Sequence, residues 1–378
     1  MHELYCPACN TPSQFDFANY LQMCPFCSAT FKIDLETGNK EVFNDHYIVP
    51  NTIDPGTVKE LIMEWLRRLH HRPSLADKEF FVVDIQGISI PYWVVSLEGH
   101  SAWAGLVQKQ HKSVLHATPG SMYLREEGQF RRSYRWAVSA RENICETWGL
   151  TRMHEPKENI QVEWDGFPLD STFSRGRLTD EGLEKSAYEV REFFEFKFAN
   201  GLPIVGIQVQ EEEALRRARS HVELYHYKLA CLHVDYLLDV RTELEIAGIQ
   251  LLHLPLWNAR YIYRPRTALR HFYKGKEKNV ILDGFGKGVL SGELAITHTD
   301  KVTVNAIVTG VSTILFLMLG SGWHPAFYLV AIFAGLVSGI SSFMAITRKT
   351  KAQEEELKKR SSGLTGKPVT GKGLATAS

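Results

Sequence analysis

Four cysteines near the amino terminus constrain the fold of this chain more than any other feature. Cys6 and Cys9 form one Cys-Pro-x-Cys pair, and Cys24 and Cys27 form a second pair fourteen residues later. Two such pairs at this distance are typical of tetrahedral zinc sites, in which each pair turns two thiolates towards one ion. The sequence therefore predicts a four-cysteine zinc ribbon over residues 1–45.

The ligand set favours a structural Zn²⁺ ion over a catalytic one. Four thiolates close the coordination sphere and leave no position for water. Iron and a thiol redox pair are the alternatives, because cysteine spacing alone does not select the metal. A segment this short cannot build a core, so the metal would supply most of its folding free energy. Its first 39 residues contain one basic residue, Lys32. Phosphate binding needs clustered charge, so protein contact or a structural cap is the favoured role.

A second constraint lies near the carboxyl terminus. Residues 302–347 contain no Asp, Glu, Lys or Arg, and Gly320–Pro325 divides them into segments of 18 and 22 residues. Each segment has the length of a membrane-spanning helix. We predict a two-helix transmembrane hairpin over residues 301–348, followed by a disordered tail over 349–378.

The charged residues beside this hairpin predict its orientation. Lys301 precedes it and Arg348, Lys349 and Lys351 follow it, whereas the central turn has no Lys or Arg. The positive-inside rule then gives a two-pass protein of the cell (inner) membrane with both termini and the soluble body in the cytoplasm. Reduced thiolates in that compartment agree with metal binding.

The middle of the chain, residues 46–300, predicts a mixed α+β body. Apolar residues at helical spacing follow Pro55, and strands are expected on both sides of Gly87. A helix over 211–229 and strands over 234–240 and 248–257 repeat this order. Both copies share a Gly-Ile pair before a Pro-x-Trp motif, which suggests a duplicated helix-plus-strands unit over 46–110 and 202–295. Helices are also expected over 133–150 and 179–200.

A basic and aromatic run precedes the hairpin. Interleaved tyrosines could stack on bases, and proximity to the membrane would equally suit anionic lipid headgroups. A solvated strand or loop face is the third interpretation. The candidate lipid or nucleic-acid contacts are Arg260, Arg264, Arg266, Arg270 and Lys274.

No catalytic motif is evident. The histidines form no His-Glu-x-x-His motif, and no Gly-x-Ser-x-Gly elbow is present. Residues 366–372 have the spacing of a phosphate-binding loop, but Gly373 replaces the Ser or Thr that would ligate magnesium. Lys plus Arg equals Asp plus Glu at 43 each, so the overall charge predicts no polyanionic partner.

The order of these features resembles a group of prokaryotic zinc-ribbon membrane proteins of unknown function. The cysteine pairs, Ile48-Val-Pro50, Pro91-Tyr-Trp93, Leu254-Pro-Leu-Trp257 and the glycine-rich turn after Asp283 carry the resemblance. Some members carry automatic names that imply a primosomal helicase, and the lack of a usable phosphate-binding loop gives no support to that activity here. The resemblance implies an architecture and no catalytic residues.

These features favour a non-enzymatic interaction, assembly or scaffold protein that is anchored in the lipid bilayer and faces the cytosol. Its expected partner is another protein or a second copy of the chain. One alternative is an enzyme, or an enzyme regulator, whose site is assembled from residues far apart in the sequence. The other is a membrane-associated nucleic-acid-binding protein.

Overall fold

A computed structural model gives the architecture of the chain, which divides into two compact units, Met1–Glu293 and Leu294–Ser378. The ribbon and the body thus belong to one unit. The structure describes residues 4–14, 16, 18–34, 37–69, 73–111, 120–144, 148, 166–170, 186–264, 277–286, 288–293, 310–319, 321–322 and 329–330.

The amino-terminal part consists of short antiparallel strands. Strands β1 (Leu4–Tyr5) and β2 (Pro12–Ser13) form a two-stranded pair. Strands β3 (Leu21–Met23), β4 (Thr30–Ile33) and β5 (Lys40–Phe43) form a three-stranded sheet in sequence order. Leu21 and Phe31 are both buried, on opposite faces of this small sheet. Leu21 packs with Trp93 and Ile207, and Phe31 packs with Cys6 and Cys24.

The body is built on one eight-stranded sheet whose central strands are unusually long. Its main path runs β10-β6-β11-β7-β8-β9, while β12 pairs with β11 and β13 pairs with β12. Among the strands that the structure describes, β6 and β11 form the one parallel pair, and Ser89 and Ile204 add an isolated parallel bridge. The strands are β6 (His46–Ile48), β7 (Phe80–His111), β8 (Gly120–Ser139), β9 (Gly166–Pro168), β10 (Glu192–Phe193), β11 (Tyr236–Tyr263), β12 (Glu277–Asp283) and β13 (Val289–Gly292).

In the described part of the first unit, three α-helices of seven residues or more accompany this sheet. Helix α1 (Pro55–Leu69) begins at the proline that favours a first turn, and its Val58, Ile62 and Leu66 are buried at helical spacing. Helix α2 (Pro73–Glu79) leads directly into β7. Helix α3 (Glu211–Cys231) packs on β7, β8 and β11. The predicted helices at 55–69 and 211–229 are confirmed.

Both faces of the middle of β7 are buried, which explains its unbroken apolar run. On one face, Tyr92 and Val94 join a core with Phe167. On the other face, Val95 and Leu97 pack with buried α3 residues. The small residues Ala214 and Ala218 on α3 allow the helix to approach the sheet closely; Trp136 and Val138 of β8 complete that second core.

The two halves of the body pair with each other in matching ways. The Val49 N–H donates to the His253 carbonyl at 2.9 Å, and the Val205 N–H donates to the Ser89 carbonyl at 3.1 Å. His253 lies two residues before Pro255, and Ser89 lies two residues before Pro91. The two accepting carbonyls therefore occupy equivalent positions on the neighbouring antiparallel strands β11 and β7. A short extended segment of each half therefore pairs with the long strand of the other half. This exchange is the arrangement expected of a duplicated unit, which stays a prediction.

Beyond the core, the three long strands continue as a projecting arm, defined here as positions 96–111, 120–135 and 236–249. These segments of β7, β8 and β11 are paired throughout in antiparallel register. At about 3.3 Å per residue, the β7 segment alone is about 50 Å long. Helix α3 covers part of one face of the arm.

Several predicted element boundaries were wrong. Gly87 lies inside β7 and does not separate two strands, and one strand, β11, replaces the two that were expected over 234–257. Positions 133–139 belong to β8 and not to a helix, because cross-strand pairing with β7 outweighs weak helix propensity. The described part of 179–200 contains only a short 3₁₀ helix, Phe196–Ala199, and β10.

The predicted hairpin falls largely outside the described residues. Positions 310–319 are helical. Within the part of the chain that the structure describes, no helix is both long and apolar enough to cross a membrane. The tail over 349–378 lies outside the described residues.

Candidate metal centre and its surroundings

The two cysteine pairs fold into matching knuckles. The Cys6 N–H donates to the Thr11 carbonyl at 3.1 Å, and the Cys24 N–H donates to the Ala29 carbonyl at 2.9 Å. In each knuckle the fourth residue after the first cysteine has a left-handed backbone: Asn10 has φ 56° and Ser28 has φ 61°. The equivalent turns aim two sulfur atoms of each pair in the same direction.

The four sulfur atoms converge on one point. All lie within 4.8 Å of one another, and the Cys6–Cys27 and Cys9–Cys24 pairs of Sγ atoms are each 3.7 Å apart. A tetrahedron with zinc–sulfur bonds of about 2.3 Å has edges of about 3.8 Å, whereas a disulfide would bring two sulfurs to about 2.05 Å. The geometry fits four ligands around one metal ion. The predicted cluster is confirmed, and it can hold a metal such as zinc.

The four thiols have unequal surroundings. Cys6 and Cys24 are buried, whereas Cys27 is exposed. A hydrogen bond to the Thr11 hydroxyl, 3.2 Å away, lowers the pKa of Cys9 to about 6. Partial loss of hydration at the sulfur atom raises the pKa of Cys24 and raises that of Cys27 to about 12. A bound cation would favour the thiolate at every position, so metal binding releases protons.

The small ribbon sheet is joined to the body by backbone pairing and aromatic packing. The Tyr20 N–H donates to the Ile207 carbonyl at 2.6 Å, and Leu21 forms an isolated β-bridge with Ile207. Phe43 packs edge-on against Trp93, with 5.7 Å between the ring centroids. The ribbon therefore packs directly on one part of the body's core.

A buried chain of polar groups crosses the same junction. Thr30 Oγ1 lies 2.5 Å from His46 Nδ1, and His46 Nε2 lies 2.9 Å from His253 Nδ1. His253 Nε2 faces the Val205 carbonyl at 3.3 Å, so this nitrogen must donate. His253 Nδ1 then accepts from His46 Nε2–H, and His46 Nδ1 accepts from the threonine hydroxyl. This sequence of hydrogen-bond donors and acceptors requires both imidazoles to be neutral.

Burial holds both of these histidines in the neutral form. It lowers the pKa of His253 to about 4 and lowers that of His46 well below its usual range, with repulsion from His253 adding to the second effect. The Phe194 ring stacks on His46 at 4.0 Å. Strands β4, β6 and β11 are thus linked through side chains that no local sequence motif connects.

A second histidine cluster lies under α3. Ser101 Oγ is 2.7 Å from His226 Nδ1 and 2.7 Å from Thr242 Oγ1, and His226 Nε2 is 2.8 Å from Tyr134 Oη. Serine and histidine at this distance can form a nucleophile–base pair. Both side chains are fully buried, however, and burial lowers the pKa of His226 to about 4. The arrangement supports packing of α3 on the arm.

An open cleft of about 720 Å³ lies between the ribbon and the segment that leads into α3. The Lys32 ammonium lies 4.8 Å from the centre of the Tyr20 ring, and a hydrogen bond to Tyr20 raises the pKa of Lys32. Gln22 donates from Nε2 to the Asp16 and Asn19 carbonyls, each at 2.8 Å. Much of the lining thus consists of groups already engaged with the protein.

The predicted basic contacts are only partly described. Arg260 forms ion pairs with Asp84 at 2.9 Å and Glu277 at 3.0 Å, which compensates its charge. The Arg264 guanidinium lies 5.8 Å from the centre of the Phe81 ring. Arg266, Arg270 and Lys274 lie outside the described residues.

No protein-family model matches the chain, and neither a curated protein nor a solved structure matches it.

Proposed function

We propose that this chain is a membrane-anchored, cytosol-facing interaction protein that uses its arm to hold a protein partner. The observation that carries the proposal is the arm itself. Three long strands continue beyond the central core, and among the described residues their outer ends carry side chains that stay exposed. An extended surface of this kind suits contact with another macromolecule better than it suits stability alone.

Exposed apolar side chains concentrate towards the outer end of the arm. Tyr123 and Tyr236 pack edge-on, with 5.4 Å between ring centroids, and remain 44% and 57% exposed. Leu232 and Leu238 are 57% and 56% exposed nearby in the sequence. Aromatic and aliphatic groups that stay in water on a projecting element are typical of protein-binding surfaces.

The metal centre has a structural role in this proposal, and its ion is Zn²⁺. The four-sulfur geometry supports a closed site, and the ribbon's pairing with the body explains what the metal stabilises. Loss of the ion would release the knuckles and weaken the packing of Phe43 on Trp93. Metal content per chain and selectivity for zinc over iron are directly measurable by elemental analysis of protein purified without added metal.

Anchoring rests on the uncharged segment over 302–347 and its basic flanks. Within the first unit, the last strand lies at the end of the sheet away from the arm, because β13 pairs with β12 and β12 pairs with positions 256–262 of β11. The arm's outer end is therefore far along β11 from Glu293, where the chain leaves this unit. Extraction of native membranes at alkaline pH should leave the full chain in the pellet.

The partner surface can be tested by site-specific photo-crosslinking in native membranes. A photoreactive residue at Leu238 should capture the same protein repeatedly, and Tyr236→Ser should abolish that capture without loss of bound metal. Phe193, 67% exposed on β10, is the matched control position outside the arm. Equal capture at both positions, or none from Leu238, would contradict the proposal.

A further inference from the structure

The two outer edges of the arm differ in how well they are protected. Among the described residues, β8 pairs outward only at Trp136–Val138, and β11 pairs outward only from Leu251 onwards. The β11 edge is interrupted by register shifts at Leu237/Asp239 and at Ile246/Gly248. Bulges of this kind hinder pairing with another strand.

The β8 edge has no such protection. Its pairing with β7 runs from Gly120 to Ser139 without a register shift. The sequence of this edge contains no proline. A long, regular and unpaired edge is a template for another strand. The only described strand in that position, β9, stops at Trp136.

The charge order along this edge identifies the strand that fits it. From 125 to 132 the sequence is Arg-Glu-Glu-Gly-Gln-Phe-Arg-Arg, with acidic residues before Gln129 and basic residues after it. In an antiparallel pair of identical strands centred on Gln129, Glu127 faces Arg131 and Glu126 faces Arg132. Each pair occurs twice because of the two-fold symmetry. Opposite charges directly across antiparallel strands are stabilising. Within one chain Glu127 already pairs with Arg125, and Arg131 already pairs with Glu98, so the contacts between copies extend these exposed ion pairs.

Neighbouring registers are unfavourable. Sliding one strand by one residue would place facing side chains on opposite sides of the sheet, so only slides by an even number of residues are allowed. The smallest such slide, by two residues, moves the two-fold axis by one residue. Moving the centre to Gly128 places Arg125 opposite Arg131, and moving it to Phe130 places Arg125 opposite Arg135. Either arrangement creates two like-charge pairs and removes all four attractive ones.

We propose that two copies of this chain associate through antiparallel pairing of their β8 edges over positions 123–135, with Gln129 at the two-fold axis. The two arms then form one continuous six-stranded sheet. Position 122 would face Trp136 of the second copy, and the second copy's own β9 already pairs there. The pairing between copies therefore ends at position 123. This dimer is independent of the apolar partner surface proposed above.

Disulfide trapping tests the register directly in the full-length protein, in native membranes, with Cys145→Ser/Cys231→Ser as the background. Gln129→Cys should form an intermolecular disulfide, because facing Cα atoms in an antiparallel pair lie about 4.5–5.5 Å apart. Ser133→Cys is the matched control, since its own copy would be about 27 Å away at eight residues' offset. Equal trapping at both positions, no trapping at 129, or trapping at 129 to a different protein would overturn the proposal.

Charge reversal provides the second measurement. Glu127→Arg and Arg131→Glu should each raise the dimer dissociation constant by roughly tenfold or more, because each replaces two attractive pairs by two repulsive ones. A mixture of the two variants should restore association, since each then faces its complement. Glu243→Arg is the control, because Glu243 is exposed on β11 and lies outside the proposed contact between the β8 edges. Light scattering in detergent would overturn the proposal if the mixture stayed monomeric or if all three variants behaved alike.

Discussion

The buried histidine pair makes the stability of the body dependent on pH in a defined direction. His253 has an ordinary pKa of 6.5 when exposed and a pKa of about 4 in the folded chain. Because the folded pKa is lowered, the unfolded chain binds more protons between these values. Stability is therefore complete above pH 6.5 and falls as the pH drops from 6.5 to 4.

The size of the effect follows from this difference. Each pH unit inside the window costs about 1.4 kcal/mol per histidine. His253 alone should lower the free energy of unfolding by about 2 kcal/mol between pH 7 and pH 5. Burial of His46 acts in the same direction. His226, with a pKa of about 4, contributes separately from its site under α3.

Urea unfolding of the full-length protein, followed by the fluorescence of buried Trp93 and Trp136, measures this dependence. The double variant His46→Leu/His253→Leu should show a smaller loss of unfolding free energy between pH 7 and pH 5 than the wild type. Exposed His100→Gln is the control for removing an imidazole. If the double variant retained the full pH dependence, the hydrogen-bonded neutral pair would not be its origin.

Three further predictions test the metal centre and the packing of the arm. Cys24→Ser should lose the bound ion, which the wild type holds at about one per chain; retention of full occupancy would contradict four-sulfur binding. Gly99→Ala should lower Tm, because the added Cβ would lie 2.5 Å from His226 Cε1, whereas Gly248→Ala, with open space at its Cβ, should not. Trp93→Phe should lose about 1 kcal/mol or more, since its indole N–H donates to the Val209 carbonyl at 2.9 Å; unchanged urea stability would show that this bond contributes nothing.

Local sequence signals predicted the local elements well. The Cys-x-x-Cys pairs define the knuckles because each turn is closed by its own backbone hydrogen bonds. The proline and apolar spacing of α1 define a helix that is recognisable without the rest of the chain. Between β12 and β13, the glycine turn likewise marks a hairpin.

The long strands were not predictable from local patterns. Gly87 suggested a turn, yet the space above it is filled by Trp257, whose ring carbons would lie 2.9 Å from an added Cβ. A glycine there allows a large side chain from the neighbouring strand to cover it. In the same way, residues 133–139 were predicted to be helical but lie opposite β7 for their whole length.

The four-cysteine feature was determined by the sequence, since two short turns and one ion need no distant residues. Tertiary structure decided where that ribbon lies and what surrounds it. His46 and His253 are 207 positions apart and meet only because β6 pairs with β11. The arm and its unprotected β8 edge also depend on which strands lie side by side. Partner choice among strands is a non-local property, and it gives this chain the surfaces on which its proposed interactions rest.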